Sequence, residues 1–168
     1  MTIKTYQSHA VLEDLKNGKV YRARKNLRFD VAYQGLITLF GLHCEAPIFG
    51  YLSRHKSCTN GKISSGVLLT LQVPADQVWL TEYRVWADYM YCVTHYTLPQ
   101  NRFQLISNEE FTQRQFDSML INLKEQRSPS QYRMPQTIME KIRPEWLVSY
   151  EDYSLPPVRR FLQKILHR

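Results

Sequence analysis

Residues 66–86 read G-V-L-L-T-L-Q-V-P-A-D-Q-V-W-L-T-E-Y-R-V-W, and this stretch decides the fold class. The run Val67-Leu68-Leu69-Thr70-Leu71-Gln72-Val73 has the apolar content and length of a strand. Pro74 ends it, because proline has no N–H to give a ladder. Ala75-Asp76 turns the chain, and Val78-Trp79-Leu80 starts a second apolar run. The pattern predicts a pair of strands joined by a tight connection, then an aromatic-rich helix over residues 83–92.

The rest of the chain mixes the two periodicities. Residues 5–18 read as a helix, with Ser8 as a cap, Val11, Leu12 and Leu15 on one face, and Gly18 as the stop. Residues 19–24 read as a first strand. Residues 30–42 read as a second helix closed by Gly41, and residues 46–52 as a second strand. Residues 53–65 form a polar loop. A turn falls at Pro99-Gln100-Asn101, and a long helix is expected over 108–127 with Phe111, Phe116, Met119, Leu120 and Leu123 apolar. Residues 136–139 and 146–150 read as further strands. After Pro156-Pro157, residues 158–168 read as a basic amphipathic helix. Helices alternating with short strands, without repeats or linkers, predict one α+β domain over residues 1–168, with short mixed or antiparallel strands and flanking helices.

Composition narrows the function classes. The 168 residues suit a single core. Lys and Arg number 22 against 15 Asp and Glu, a net charge of +7, which favours polyanionic partners: nucleic acid, nucleotides or acidic proteins. No apolar stretch follows Met1, so neither a secretory signal nor a membrane span is expected. Three cysteines, Cys44, Cys58 and Cys92, suit a reducing, cytoplasmic setting. His43, Cys44, His55 and Cys58 are the candidate zinc ligands, with His55-x-x-Cys58 at ligand spacing. The adjacency of His43 and Cys44 disfavours one tetrahedral ion, so no metal is expected. No Walker loop, G-x-G-x-x-G, G-x-S-x-G or H-E-x-x-H is present.

Two resemblances carry the functional expectation. The apolar strand, the V-P-x-x-x-V-x-L turn and the following Trp resemble a family of uncharacterised small bacterial proteins. Three further pieces resemble the ADP-ribosyltransferase superfamily. Val20-Tyr21-Arg22-Ala23-Arg24 is similar to its first strand, where Arg or His holds the cofactor. Pro47-Ile48-Phe49-Gly50-Tyr51-Leu52-Ser53 is similar to its second strand, where Tyr or Ser meets the nicotinamide ribose. Gln136-Thr137-Ile138-Met139-Glu140, with Ile142 to Leu147, is similar to its closing strand, which carries Gln or Glu.

The resemblance implies a metal-free protein using NAD as substrate to modify nucleic acid or a bacterial protein. A toxin or phage-conflict setting, with an antitoxin-like partner, fits that chemistry. It assigns catalysis to Glu140 and Gln136, and cofactor contacts to Arg22, Tyr21, Tyr33, Tyr51 and Ser53. An Arg would meet the pyrophosphate, and a carboxylate would stabilise the cation that develops as the nicotinamide bond breaks. Counting by twos along a strand puts Gln136, Ile138 and Glu140 on one side. Ile138 stands where one subgroup of the superfamily has Glu, so the alternative is a non-catalytic nucleic-acid- or protein-binding module. Arg159, Arg160, Lys164 and Arg168 of the terminal helix are the candidate nucleic-acid contacts. The bland rivals are packing for Tyr33 and Tyr51 and a solvated surface for Arg22, Glu82 and Glu140.

Overall fold

The computed structural model describes residues 1–25, 30–52, 66–98, 101–106 and 112–154. The expected loop at 53–65, the Pro99-Gln100 turn and the basic helix at 158–168 lie outside the described residues. The fold is α+β. Strands β1 (Thr2–Gln7), β2 (Ile48–Leu52), β3 (Val67–Gln72), β4 (Trp79–Glu82), β7 (Pro135–Met139) and β8 (Leu147–Asp152) form one antiparallel sheet in the order β4-β7-β2-β1-β3-β8. The helices are α1 (His9–Lys16), α2 (Asp30–Phe40), α3 (Tyr83–Tyr96) and α4 (Gln113–Lys124). A small ribbon, β5 (Thr97–Leu98) with β6 (Asn101–Leu105), follows α3.

Strand registry sorts the side chains. Ile3 stands opposite Leu52 and Leu71, and Leu80 opposite Thr137. Because side chains alternate, these positions share one face. That face packs on Val11, Leu12 and Leu15 of α1, with Val73, Val78, Ile142 and Trp146 in the same cluster. The other face presents Phe49, Ile138 and Trp79, which meet α2, α3 and α4 through Leu36, Tyr89, Cys92, Phe116 and Leu123. The sheet is therefore covered on both sides at this end, and two separate cores form.

Several expectations are corrected. The helix predicted from residue 5 is a strand followed by a helix. Thr5 is buried in β1, where it donates to the Phe49 carbonyl at 2.7 Å. Ser8 precedes α1 in extended geometry without a side-chain capping bond. The strand predicted at 19–24 shrinks to one antiparallel bridge, Tyr21 opposite Ile142. Val20 is 48% exposed there, so its alternation with polar neighbours had no core to face. Strands β3 and β4 do not pair. Four successive antiparallel steps separate them, so they run parallel with β1, β2 and β7 between. Pro74 and the single turn at Ala75–Gln77 redirect the chain across the sheet instead of folding it into a hairpin. Helix α4 starts at Gln113, not 108, fixed by a capping box: the Thr112 N–H donates to Gln115 Oε1 at 2.8 Å and the Gln115 N–H to Thr112 Oγ1 at 3.3 Å.

Gly50 stands opposite Thr137 of β7 and against Ile3 and Lys4 of β1. A Cβ there would lie 2.8 Å from both the Lys4 carbonyl oxygen and Ile3 Cγ2, and 2.9 Å from Thr137 Oγ1. The backbone of a central strand cannot step aside without shifting its ladder. Gly50→Ala is therefore expected to lower stability by about 1–3 kcal/mol, read as an earlier urea midpoint at unchanged slope. An unchanged midpoint would show that β1 and β2 are further apart than described.

Candidate functional site

The sheet carries one polar row. Thr81, Gln136, Tyr51 and Lys4 are register partners on the four neighbouring strands β4, β7, β2 and β1. At ordinary strand spacing the row is about 14 Å long. By alternation it lies on the face that holds Phe49 and Ile138, one pleat further along. Its members are deeply placed: Tyr51 is 6% exposed, Gln136 1% and Thr81 0%. Among the described residues, Gln136 Oε1 and Thr81 Oγ1 have no hydrogen-bond partner, and they belong to directly opposed residues. Leaving a buried polar atom unpaired costs about 1–3 kcal/mol, so two neighbouring ones in a packed sheet mark a place where stability has been sacrificed.

Aromatic rings frame this row. Tyr6, one pleat from the row on β1, has its ring 6.5 Å from Tyr51 and 5.6 Å, edge-on, from Tyr153. Burial raises the Tyr6 hydroxyl above its ordinary pKa. The hydrogen bond from Tyr153 opposes this, while Tyr51 and the charge of Glu151 add to it. On the helix side, Tyr33 packs on Phe49 at 5.4 Å, Phe49 meets Trp86 edge-on at 5.1 Å, and Tyr83 stacks on Trp86 at 6.3 Å. Burial alone pushes the Tyr33 hydroxyl up. Trp86 Nε1 is also buried without a partner.

The candidate residues fall into two groups. Tyr51, Gln136 and Tyr33 belong to the polar face. Arg22 and Glu140 lie at the other end of β7. That strand ends at Met139, and Glu140 occupies the bend after it, so the count by twos stops before reaching it. Glu140 Oε1 accepts the His43 backbone N–H at 2.8 Å. Its charge reaches the Cys44 thiol, which burial, first, and then Glu140 push up to about 11 against a downward pull from Arg22. Tyr21 is half-buried, its hydroxyl raised by burial and partly offset by Arg24. Glu82 accepts the Arg133 and Met134 N–H groups at 2.8 and 3.0 Å and clasps the bend before β7 to β4. Ser53, Arg159, Arg160, Lys164 and Arg168 lie outside the described residues.

Sequence reasoning missed Lys4, Tyr6, Thr81 and Tyr153. The signal for the first two was present in T-I-K-T-Y-Q, where Ile3 and Thr5 alternate with Lys4 and Tyr6, but the neighbouring helix pattern absorbed it. Among the described residues, no group of three or more His, Cys, Asp or Glu could hold a metal ion, and no helix is long and apolar enough to cross a membrane. No protein-family model, curated protein or solved structure matches this chain.

Proposed function

We propose that this protein is ADP-ribosyltransferase-like, that it binds NAD on the polar sheet face, and that it directs the ADP-ribosyl group to nucleic acid or a bacterial protein. One observation carries the reading: Tyr51, which the resemblance assigns to the nicotinamide ribose, and Gln136, which it assigns to catalysis, are opposed partners on adjacent central strands, with the Gln136 carbonyl buried and, among the described residues, unpaired. The first-strand cation changes identity. β1, not residues 19–24, lies beside β2, so Lys4 takes the phosphate-facing role given to Arg22.

The chemistry follows from the row. Tyr51 and Tyr6 offer ring faces to a flat, positively charged nicotinamide. The free carbonyl of Gln136 accepts a ribose hydroxyl. When the ribose–nicotinamide bond breaks, its electron pair leaves with the nicotinamide, and the ribose carbon becomes cationic. In this reading the Gln136 carbonyl dipole, held on a central strand, would stabilise that developing charge.

A second reading, binding without turnover, is favoured by a specific observation. Gln136 brings no charge, and the Glu140 carboxylate holds a backbone N–H beyond the strand end. Calorimetry with NAD and assay of released nicotinamide separate the two. Binding in the range of about 1 μM to 1 mM, with nicotinamide released, supports transfer. Binding without release supports the module. No binding at millimolar NAD removes the transferase reading and leaves a module for nucleic acid or protein.

A further inference from the structure

A cleft of about 590 Å³ opens at the Met139 end of the sheet, lined by Arg22, Ala23, Arg24, His43, Cys44 and Glu45. Its walls are anchored. Tyr21 and Ile142 exchange both backbone hydrogen bonds at 2.9 Å, which pins the segment carrying the two arginines. Glu140 pins the opposite wall through the His43 N–H. The flanking cations are already paired: Lys19 with Asp14 at 3.4 Å and Lys25 with Asp30 at 3.1 Å. Arg22 and Arg24 differ. Among the described residues neither has an ion pair or a hydrogen bond, and both are exposed. Two unpaired guanidiniums two residues apart on a tethered segment, both facing one cleft, make a fork suited to phosphate oxygens. Among the described residues the lining adds one carboxylate, Glu45, on the far side, and the Glu140 carboxylate behind that wall is engaged by the His43 N–H.

We propose that this cleft is a second binding site, which seats backbone phosphates of a nucleic-acid strand. The cleft is open to solvent, and the net charge of +7 favours a polyanion. This site does not depend on the dinucleotide reading. It reassigns Arg22 from the cofactor to the nucleic acid.

The test is fluorescence anisotropy with a labelled single-stranded RNA of about twelve nucleotides, at about 50 and about 200 mM salt. Comparison is between the full chain, Arg22→Ala/Arg24→Ala, and Arg22→Lys/Arg24→Lys. Both positions are exposed, so the fold is expected to survive, and a melting curve checks this. The alanine pair is expected to bind at least tenfold more weakly at low salt. Its slope of log affinity against log salt should be shallower by about 1.4, two phosphate contacts on a single strand. The lysine pair should keep the wild-type slope while losing affinity, because lysine keeps the charge and loses the fork. Equal affinity and slope for the alanine pair and the wild type would overturn the proposal. So would a wild type that does not bind the RNA. Competition by AMP as effective per phosphate as by RNA would assign the cleft to free nucleotides. Loss of poly-glutamate binding with RNA binding intact would assign it to an acidic protein. Either result also overturns it.

Discussion

Gln136→Leu is expected to weaken NAD binding at least tenfold and to leave the protein as stable as the wild type or more so. The two halves of that result have one physical cause. Gln136 is 1% exposed, and its amide oxygen has no partner. Its polar atom was removed from water and given nothing in return, a loss of about 1–3 kcal/mol. Leucine fills a similar volume without that loss, beside Ile138 and Phe49 on the same face. A gain of about 1–2 kcal/mol would raise the melting temperature by about 2–8 °C for a chain of this size. A ligand whose hydroxyl meets the carbonyl would lose that hydrogen bond, about tenfold or more in affinity. Calorimetry and a thermal melt on the same sample decide it. A variant that melts much lower would show Gln136 to be a structural residue, and one that binds NAD normally would move the site elsewhere.

What could be read from the sequence was local. Strands β2, β7 and β8 and helices α2 and α3 were visible because their apolar positions recur at one period over a whole element. Tyr51 and Gln136 were named by the resemblance to the ADP-ribosyltransferase superfamily, and each sits on one of these strands. What failed was long-range. Residues 67–80 look like a hairpin, because chain neighbours usually pair, yet β1 and β2 at one side and β7 at the other intervene. The β7 partner lies more than fifty residues away from β4 in sequence, as Thr81 opposite Gln136 shows, and no local pattern encodes that. The grouping of Arg22 with Tyr51 failed likewise: an exposed Arg-x-Arg segment alternates as a strand does, but alternation without a buried partner makes only a bridge. Burial of unpaired atoms is a property of the assembled sheet, so Thr81 gave no sequence signal at all.

Gln136→Glu is expected to cost stability at neutral pH, to recover it in acid, and to accelerate nicotinamide release. A carboxyl at this position would have no cation in contact, since Lys4, the nearest in the row, stands two strands away, about 10 Å. Burial then raises its pKa in the folded protein above the ordinary value near 4.3. Below about pH 4 both folded and unfolded chains are protonated, and the variant should match the wild type. As pH rises, the unfolded chain releases its proton first, and the folded state loses about 1.4 kcal/mol per unit until its own raised pKa is reached. At pH 7 the deficit is up to about 3–4 kcal/mol. NAD should restore part of it, because the positively charged nicotinamide or the developing ribose cation supplies the missing counter-charge. A full negative charge where wild type offers only a dipole should speed nicotinamide release about a hundredfold, the inverse of removing a transition-state contact. Melting curves from pH 4 to 8, with and without NAD, together with the release assay, provide the readout. A pH-independent difference in melting would mean that water reaches position 136. A pH-dependent deficit that NAD does not relieve would place the nicotinamide ribose away from this row and leave the face to a different ligand.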